Sequence, residues 1–222
     1  MSLLDQLLAI LAPHTCVGCG RENTLLCSTC AGQLVLPVDR CYRCHKLTVQ
    51  ADTCLACRQH SHLRSVQSAY RYQGAAKELV WKLKSAGAQA AAKQMANQIL
   101  RHCPPLPAAA IIVPVPTATS RVRRRGYDQA ELLARQLAAA TGLRYMSCLV
   151  RTGQAEQVGA GREQRLSQLT AAFRAGQLPA IQGQHLILID DVVTTGATLE
   201  AAAKTLQAAG ADRVDALVFA QA

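Results

Sequence analysis

The stretch 187-ILIDDVVTTGATL-199 constrains this chain more than any other. Its three leading apolar residues, with Leu186 before them, do not alternate with polar ones. An unbroken β-branched run of this kind suits a strand covered on both faces, as in a parallel sheet flanked by helices. Two adjacent acids, Asp190 and Asp191, follow at the end of that strand. Val192 and Val193 come next, and then Thr194, Thr195, Gly196, Ala197 and Thr198 lead into an alanine-rich helix. Ligands of such sheets sit at the carboxyl ends of the strands. Two carboxylates placed there can accept hydrogen bonds from the vicinal hydroxyls of a ribose, directly or through a divalent metal. The Thr/Gly segment offers hydroxyls, free backbone N–H groups and the positive end of a helix dipole, which together suit a phosphate. Gly196 lets backbone come close.

Elsewhere the body alternates strands and helices, which predicts a mainly parallel α/β fold. Strands are expected at 65–74 (an edge strand), 110–116, 145–150, 185–190 and 213–220. Helices are expected at 75–84, 88–101, 128–140 and 197–209, with a helix-like piece running to Phe173. The two unusual loops, 114–126 and 190–198, both begin at strand ends. Residues 151–164 are polar and glycine-bearing and read as a mobile loop.

The head is built differently. Eight of the ten cysteines form four C-x-x-C pairs: Cys16/Cys19, Cys27/Cys30, Cys41/Cys44 and Cys54/Cys57. Two residues between thiolates let one tight turn aim both sulfurs at a single ion, and two such turns complete a tetrahedral four-cysteine zinc site. Four turns supply two structural zinc ions, paired either sequentially or in an interleaved way; spacing leaves both open. A disulfide framework is disfavoured by the short C-x-x-C spacing and by a start, 1-MSLLDQLLAILAPH-14, that lacks the positive charge of an export signal. An iron–sulfur cluster is a minor alternative. These features divide the 222 residues into an N-terminal helix (1–14), a zinc module (15–62) and an α/β domain (63–222) in a cytoplasmic setting. No apolar run reaches membrane-spanning length. Cys103 and Cys148 stand alone and read as small buried residues.

The formal net charge is +10, unevenly placed. Residues 40–127 hold fifteen Lys/Arg against two acids, Asp52 and Glu78, a local excess of +13. Clustering of this kind favours a polyanion. Arg43, Lys46, Arg58, Arg64, Lys77, Lys82 and Lys84 are candidate nucleic-acid contacts. Tyr42, Tyr70, Tyr72 and Trp81 lie in the same zone as possible stacking partners. For Trp81, packing into the core is the stronger expectation.

Taken together, the cysteine pairs, 113-VPVP-116, 123-RRRGYDQAELLA-134 and 187-ILIDDVVTTGATL-199 resemble the ComF family, the ComFC/GntX-like proteins, over nearly the full length. The last of these segments looks like the phosphoribosyl pyrophosphate (PRPP) motif of type I phosphoribosyltransferases. The resemblance implies a type I phosphoribosyltransferase-like domain behind a double zinc ribbon. It implies handling of single-stranded DNA in natural transformation, alongside DNA-uptake helicase and competence proteins. It also implies a pocket for PRPP with Mg²⁺, in which Asp190 to Thr198 bind ribose 5-phosphate. Val115, Pro116, Arg121, Arg123, Arg124 and Arg125 would then form the pyrophosphate loop, with Arg151 and Gln157 on a closing loop. An active phosphoribosyltransferase of nucleotide salvage is the alternative; no catalytic base stands out. Where the family usually has Arg-Gly-Phe-Asn-Gln this chain has 125-RGYDQ-129, so Asp128 brings a negative charge to the pyrophosphate loop. The family's R-x-x-N becomes 165-RLSQ-168, ahead of Ala172 and Phe173.

Overall fold

The structure is a computed structural model that describes residues 14–85, 88–152, 172–176 and 181–222. The expected N-terminal helix, Gln157 and the RLSQ segment lie outside these residues.

Five strands form one sheet with every neighbouring pair parallel, in the order β1 (Val66–Arg71), β7 (Arg213–Gln221), β6 (His185–Val193), β2 (Ile111–Pro114), β3 (Arg144–Tyr145). The period-2 geometry of strands explains why both faces are apolar. Ile112, Ile187, Ile189, Leu217 and Phe219 point into one core. Ile111, Val113, Leu186, Leu188, Ala216 and Val218 point into the other. The first core is closed by α3 (Gly74–Leu83), α4 (Ala88–His102) and α6 (Gln129–Thr141). The second is closed by α7 (Ala197–Ala208) and a small antiparallel ribbon of β4 (Leu149–Arg151) and β5 (Phe173–Ala175).

Helices α6 and α7 follow neighbouring strands yet cover opposite faces, leaving a crevice between the carboxyl ends of β2 and β6. This is the topological switch point at which open α/β sheets hold their ligands.

Four expectations are corrected. The segment 114–126 is not all loop, because Thr119–Arg125 forms a helix, α5, stopped at Gly126 in the left-handed region (φ 81°). The single strand expected at 145–150 is divided between β3 in the main sheet and β4 in the ribbon. The piece ending at Phe173 is a strand at its described end, since Phe173 pairs with Arg151. Finally, β6 runs three residues beyond Asp190, so both acids stand within strand geometry.

The two cysteine turns are one structure made twice. Cys16 N–H donates to the Arg21 carbonyl at 2.7 Å and Gly20 N–H to Cys16 at 2.8 Å. In the second copy Cys41 N–H donates to Lys46 and His45 N–H to Cys41, each at 2.8 Å. His45 occupies the place of Gly20, both at positive φ (60° and 75°). Downstream, Cys27 and Cys54 each immediately precede a short helix, α1 (Ser28–Gly32) and α2 (Leu55–Arg58). The first copy is buried against the first core through Cys16, Leu25, Leu26, Cys27 and Cys30, and the second reaches the other core through Tyr42. Apolar packing is continuous across position 62/63, where Leu63 shares a core with Tyr42.

Candidate ribose-phosphate and metal sites

A cavity of about 520 Å³ opens over the switch point. Its floor is the end of β6, with Asp190, Asp191 and Val192, and the turn into α7, with Thr194 and Thr198. Its wall is the segment after β2, with Val115, Pro116, Thr117 and Arg121. Arg151 enters from β4, and Lys84 from the turn after α3.

Burial comes first and Asp191 second in pushing the Asp190 carboxyl well above its usual range, because two adjacent acids resist ionising together in a poorly solvated site. Asp191 is buried, and Lys84 Nζ is ion-paired with it. Lys84 is held in place from outside the cavity: the Tyr127 hydroxyl lies 2.9 Å from the carbonyl oxygens of both Leu83 and Ser85, the residues flanking it. Arg151 is half-buried, and burial followed by repulsion from Arg121 lowers its pKa. Its guanidinium also lies 5.5 Å from the centre of the Phe173 ring. Cations and acids with strained solvation around one cavity form a site suited to a charged, sugar-like ligand.

Asp128 is not a free charge beside the loop. Its carboxylate accepts from Thr117 N–H at 2.7 Å, Thr117 Oγ at 3.0 Å and Ala130 N–H at 2.9 Å. It therefore caps α6 and ties the β2 loop to that helix.

The arginine run is spread over a helix, so its members point apart. Arg121 lines the cavity, Arg125 donates to Gln129 at 2.9 Å, and Arg123 and Arg124 are exposed outside the lining. Of the Thr/Gly stretch, Val193 is buried in the second core, and Thr195 Oγ accepts from Ala197 N–H at 3.4 Å. Gly196 adopts φ +73° and caps α7, and a Cβ there would lie 2.5 Å from Tyr42 Cδ2. The close approach that requires glycine is made by this aromatic ring.

Lys84, read from sequence as a nucleic-acid contact, belongs to the cavity. Arg43, Lys46, Arg64 and Lys77 are exposed, and Arg58 pairs with Asp52 at 3.7 Å. Trp81, expected in the core, is 59% exposed, with Lys82 Nζ 5.8 Å from its ring centre. The tyrosines behave oppositely. Tyr70 is buried against Phe219 with its hydroxyl on Gln98 at 2.7 Å, and Tyr42 is buried as well. Cys148 is buried, and Cys103 is half-buried with its thiol pushed up to about 12 by burial.

The eight paired cysteines gather sequentially: Cys16, Cys19, Cys27 and Cys30 in one group, Cys41, Cys44, Cys54 and Cys57 in the other. Within each group the sulfurs lie within 4.8 Å of one another. Burial opposes ionisation of Cys16, but backbone N–H donors, led by that of Cys27, outweigh it and bring the thiol down to about 6. Cys41 behaves alike, at about 6, with Cys54 N–H as the main donor. Neighbouring thiols push Cys30 and Cys57 up to about 12 instead, because crowded thiolates repel one another. A dication would relieve that conflict, and four thiolates at this spacing fit Zn²⁺. Both groups could hold zinc.

The phosphoribosyl transferase domain family matches residues 86–222. DNA utilization protein YhgH of Salmonella typhi is 36% identical over 131 residues, 57% of each chain. Competence protein F of Haemophilus influenzae is 32% identical over 114 residues, covering 50% of each. Competence protein ComFC of Bacillus subtilis is 34% identical over 96 residues, 43% of this chain and 38% of that one. The chain thus spans about half the length of the curated relatives it matches. Among solved structures, the allosteric regulatory enzyme of purine biosynthesis aligns with 59% of this chain and 25% of its own at 18% identity, with a TM-score of 0.42. No helix among the described residues is long and apolar enough to cross a membrane. With a parallel sheet and a cavity floored by Asp190 and Asp191, the chain belongs to the phosphoribosyl transferase domain family, and it is similar to proteins named for competence and DNA utilization.

Proposed function

We propose that this protein handles single-stranded DNA in transformation or DNA utilisation, as the names of its relatives suggest, and binds PRPP with Mg²⁺ in the cavity. In that reading Asp190 and Asp191 face the ribose hydroxyls, Thr194 and Thr198 face the 5-phosphate, and Arg121, Arg151 and Lys84 face the pyrophosphate. One observation carries the pairing of roles. Helix α3 exposes Lys77 and Trp81, with the half-buried Lys82 over the Trp81 ring, and the turn after it carries Lys84 into the cavity. A stacking side chain between cations suits single strands without sequence preference. Cytoplasmic placement and contacts with uptake helicases belong to the same proposal.

Titrations with PRPP–Mg²⁺ and with a single-stranded oligonucleotide test it. Asp190→Ala/Asp191→Ala is expected to lose PRPP and keep DNA. Trp81→Ala is expected to weaken DNA binding about tenfold, in line with ~1–3 kcal/mol per stacked base, and to keep PRPP. DNA affinity that does not change between low and physiological salt would refute phosphate-led binding.

The alternative, a working phosphoribosyltransferase, is favoured by Arg121 and Arg151 converging on the cavity that holds the acid pair, a charge arrangement suited to a leaving pyrophosphate. Pyrophosphate release with any nucleobase would establish it.

A further inference from the structure

The second cysteine turn touches the phosphate-binding loop directly. Tyr42 sits beside Cys41, which is fully buried. Its ring covers Gly196 so closely that a Cβ would meet Cδ2 at 2.5 Å and Cε2 at 2.9 Å. Its hydroxyl hydrogen-bonds the Glu200 carboxylate one turn into α7, and lies 2.6 Å from Ser61 Oγ. Ser61 Oγ also donates to Glu200 at 3.1 Å, and His62 N–H at 2.8 Å. One residue of the cysteine turn therefore grips both the N-cap of α7 and its first turn, and Thr198 of the cavity lies between those two points. The first turn has no such role. At its corresponding place are Val17, packed on the other core, and Gly18, where a Cβ would meet first its own Cys30 Sγ (2.6 Å) and Cβ (2.9 Å) and then Ala75 (3.7 Å).

We propose that Tyr42 is a positioning residue for the phosphate loop, and that metal binding at Cys41, Cys44, Cys54 and Cys57 raises affinity for the phosphoribosyl ligand through it. This rests on the PRPP reading of the cavity. Four thiolates on one ion fix the turn that carries the ring. Loss of the ion frees the ring, and with it the left-handed Gly196. Linkage makes the effect reciprocal, so the ligand must raise the affinity for that metal by the same free energy, and slower release of the metal is the expected readout.

The test uses the full chain loaded with zinc. Wild type, Tyr42→Phe and Tyr42→Ala are titrated with PRPP–Mg²⁺, and zinc release to a colorimetric chelator is followed with and without PRPP. Tyr42→Ala is expected to lose about tenfold or more in affinity, a ~1.4 kcal/mol change, while keeping its zinc. Tyr42→Phe retains the ring and stays within about threefold. PRPP is expected to slow one of two zinc-release phases in wild type, the phase abolished by Cys57→Ser. That last measurement needs no change at Tyr42, so it stands even where Tyr42→Ala misfolds. Equal PRPP affinity in folded Tyr42→Ala and wild type, or zinc release that ignores PRPP, would overturn the proposal alone. Failure of wild type to bind PRPP would remove the pocket reading as well.

Discussion

Lys84 is ion-paired with Asp191 although the two belong to opposite halves of the fold, one closing α3 and the other near the end of β6. Replacing Lys84 with Met leaves a buried carboxylate without its cation and removes a positive charge from the proposed pyrophosphate region. PRPP affinity is expected to fall at least about tenfold, in keeping with ~2–5 kcal/mol for truncating one partner of a buried charge pair. Calorimetry with PRPP–Mg²⁺ checks this, and unchanged affinity would remove Lys84 from the site.

Tyr127 fastens the backbone on either side of Lys84, so Tyr127→Phe should reach the ligand at second hand. The ring stays and only the hydroxyl goes. Urea unfolding should record a loss of ~1 kcal/mol, and PRPP affinity should fall by less than in the Lys84 variant. A larger affinity loss than that of Lys84→Met would show that Tyr127 acts on the ligand by another route.

Asp128→Ala should destabilise the protein by ~1–2 kcal/mol, because it removes both a helix cap and the tie to Thr117. Asp128→Asn keeps an acceptor and should retain most of that stability. If the charge of Asp128 instead repels pyrophosphate, Asp128→Asn would tighten PRPP binding, which calorimetry would detect.

Asp190 and Glu200 should respond to acid in opposite directions. The Asp190 pKa is raised in the fold by burial and by Asp191, so its contribution is fully present below the unfolded pKa and is lost as pH rises through the folded one. Asp190→Asn should therefore melt higher than wild type at neutral pH, with the gap closing near about pH 4, where the unfolded acid titrates. Burial pushes Glu200 up, but the Tyr42 hydroxyl and the His62 N–H outweigh it and hold its pKa low. Its contribution is present above the unfolded pKa and lost as pH falls through the folded one. Glu200→Gln should melt lower than wild type at neutral pH and converge with it in acid. Thermal melts across that range decide both.

Zinc content gives a further check. The purified chain is expected to carry about two zinc ions, one per four-cysteine group. Cys19→Ser should lose one of them and leave PRPP affinity near that of wild type, since the first turn does not reach the phosphate loop. Weakening equal to that of a Cys44→Ser variant would contradict the separation of the two copies.

The elements whose pattern is local were legible in the sequence. The helix over 128–140 announced itself by its Thr141-Gly142 stop, and Gly142 does close it in the left-handed region. Strand β6 was visible in its apolar run, but its last three residues were hidden because Asp190 and Asp191 look like a loop. Helix α5 was obscured by its arginines, though Gly126 is the stop signal that could have revealed it. What sequence could not supply is pairing at a distance. Spacing alone left the cysteine grouping open, and folding makes it sequential. Lys84 belonged to a row of basic residues along α3 until the turn after that helix carried it into the cavity. Trp81 left its expected place in the core, while Tyr42, open to stacking or packing by sequence, is buried, because burial depends on what packs above each helix or turn.

The doubled cysteine turn has one more consequence. Each copy closes its bend with the same pair of backbone hydrogen bonds, so the first of the two residues between its cysteines is open to variation. Val17 and Tyr42 are in that sense cartridges in one holder. Exchanging Val17 with Tyr42, while Gly18 stays because a Cβ there would meet Cys30 Sγ at 2.6 Å, should keep both turns closed and move the aromatic ring to the opposite side of the sheet, away from Gly196.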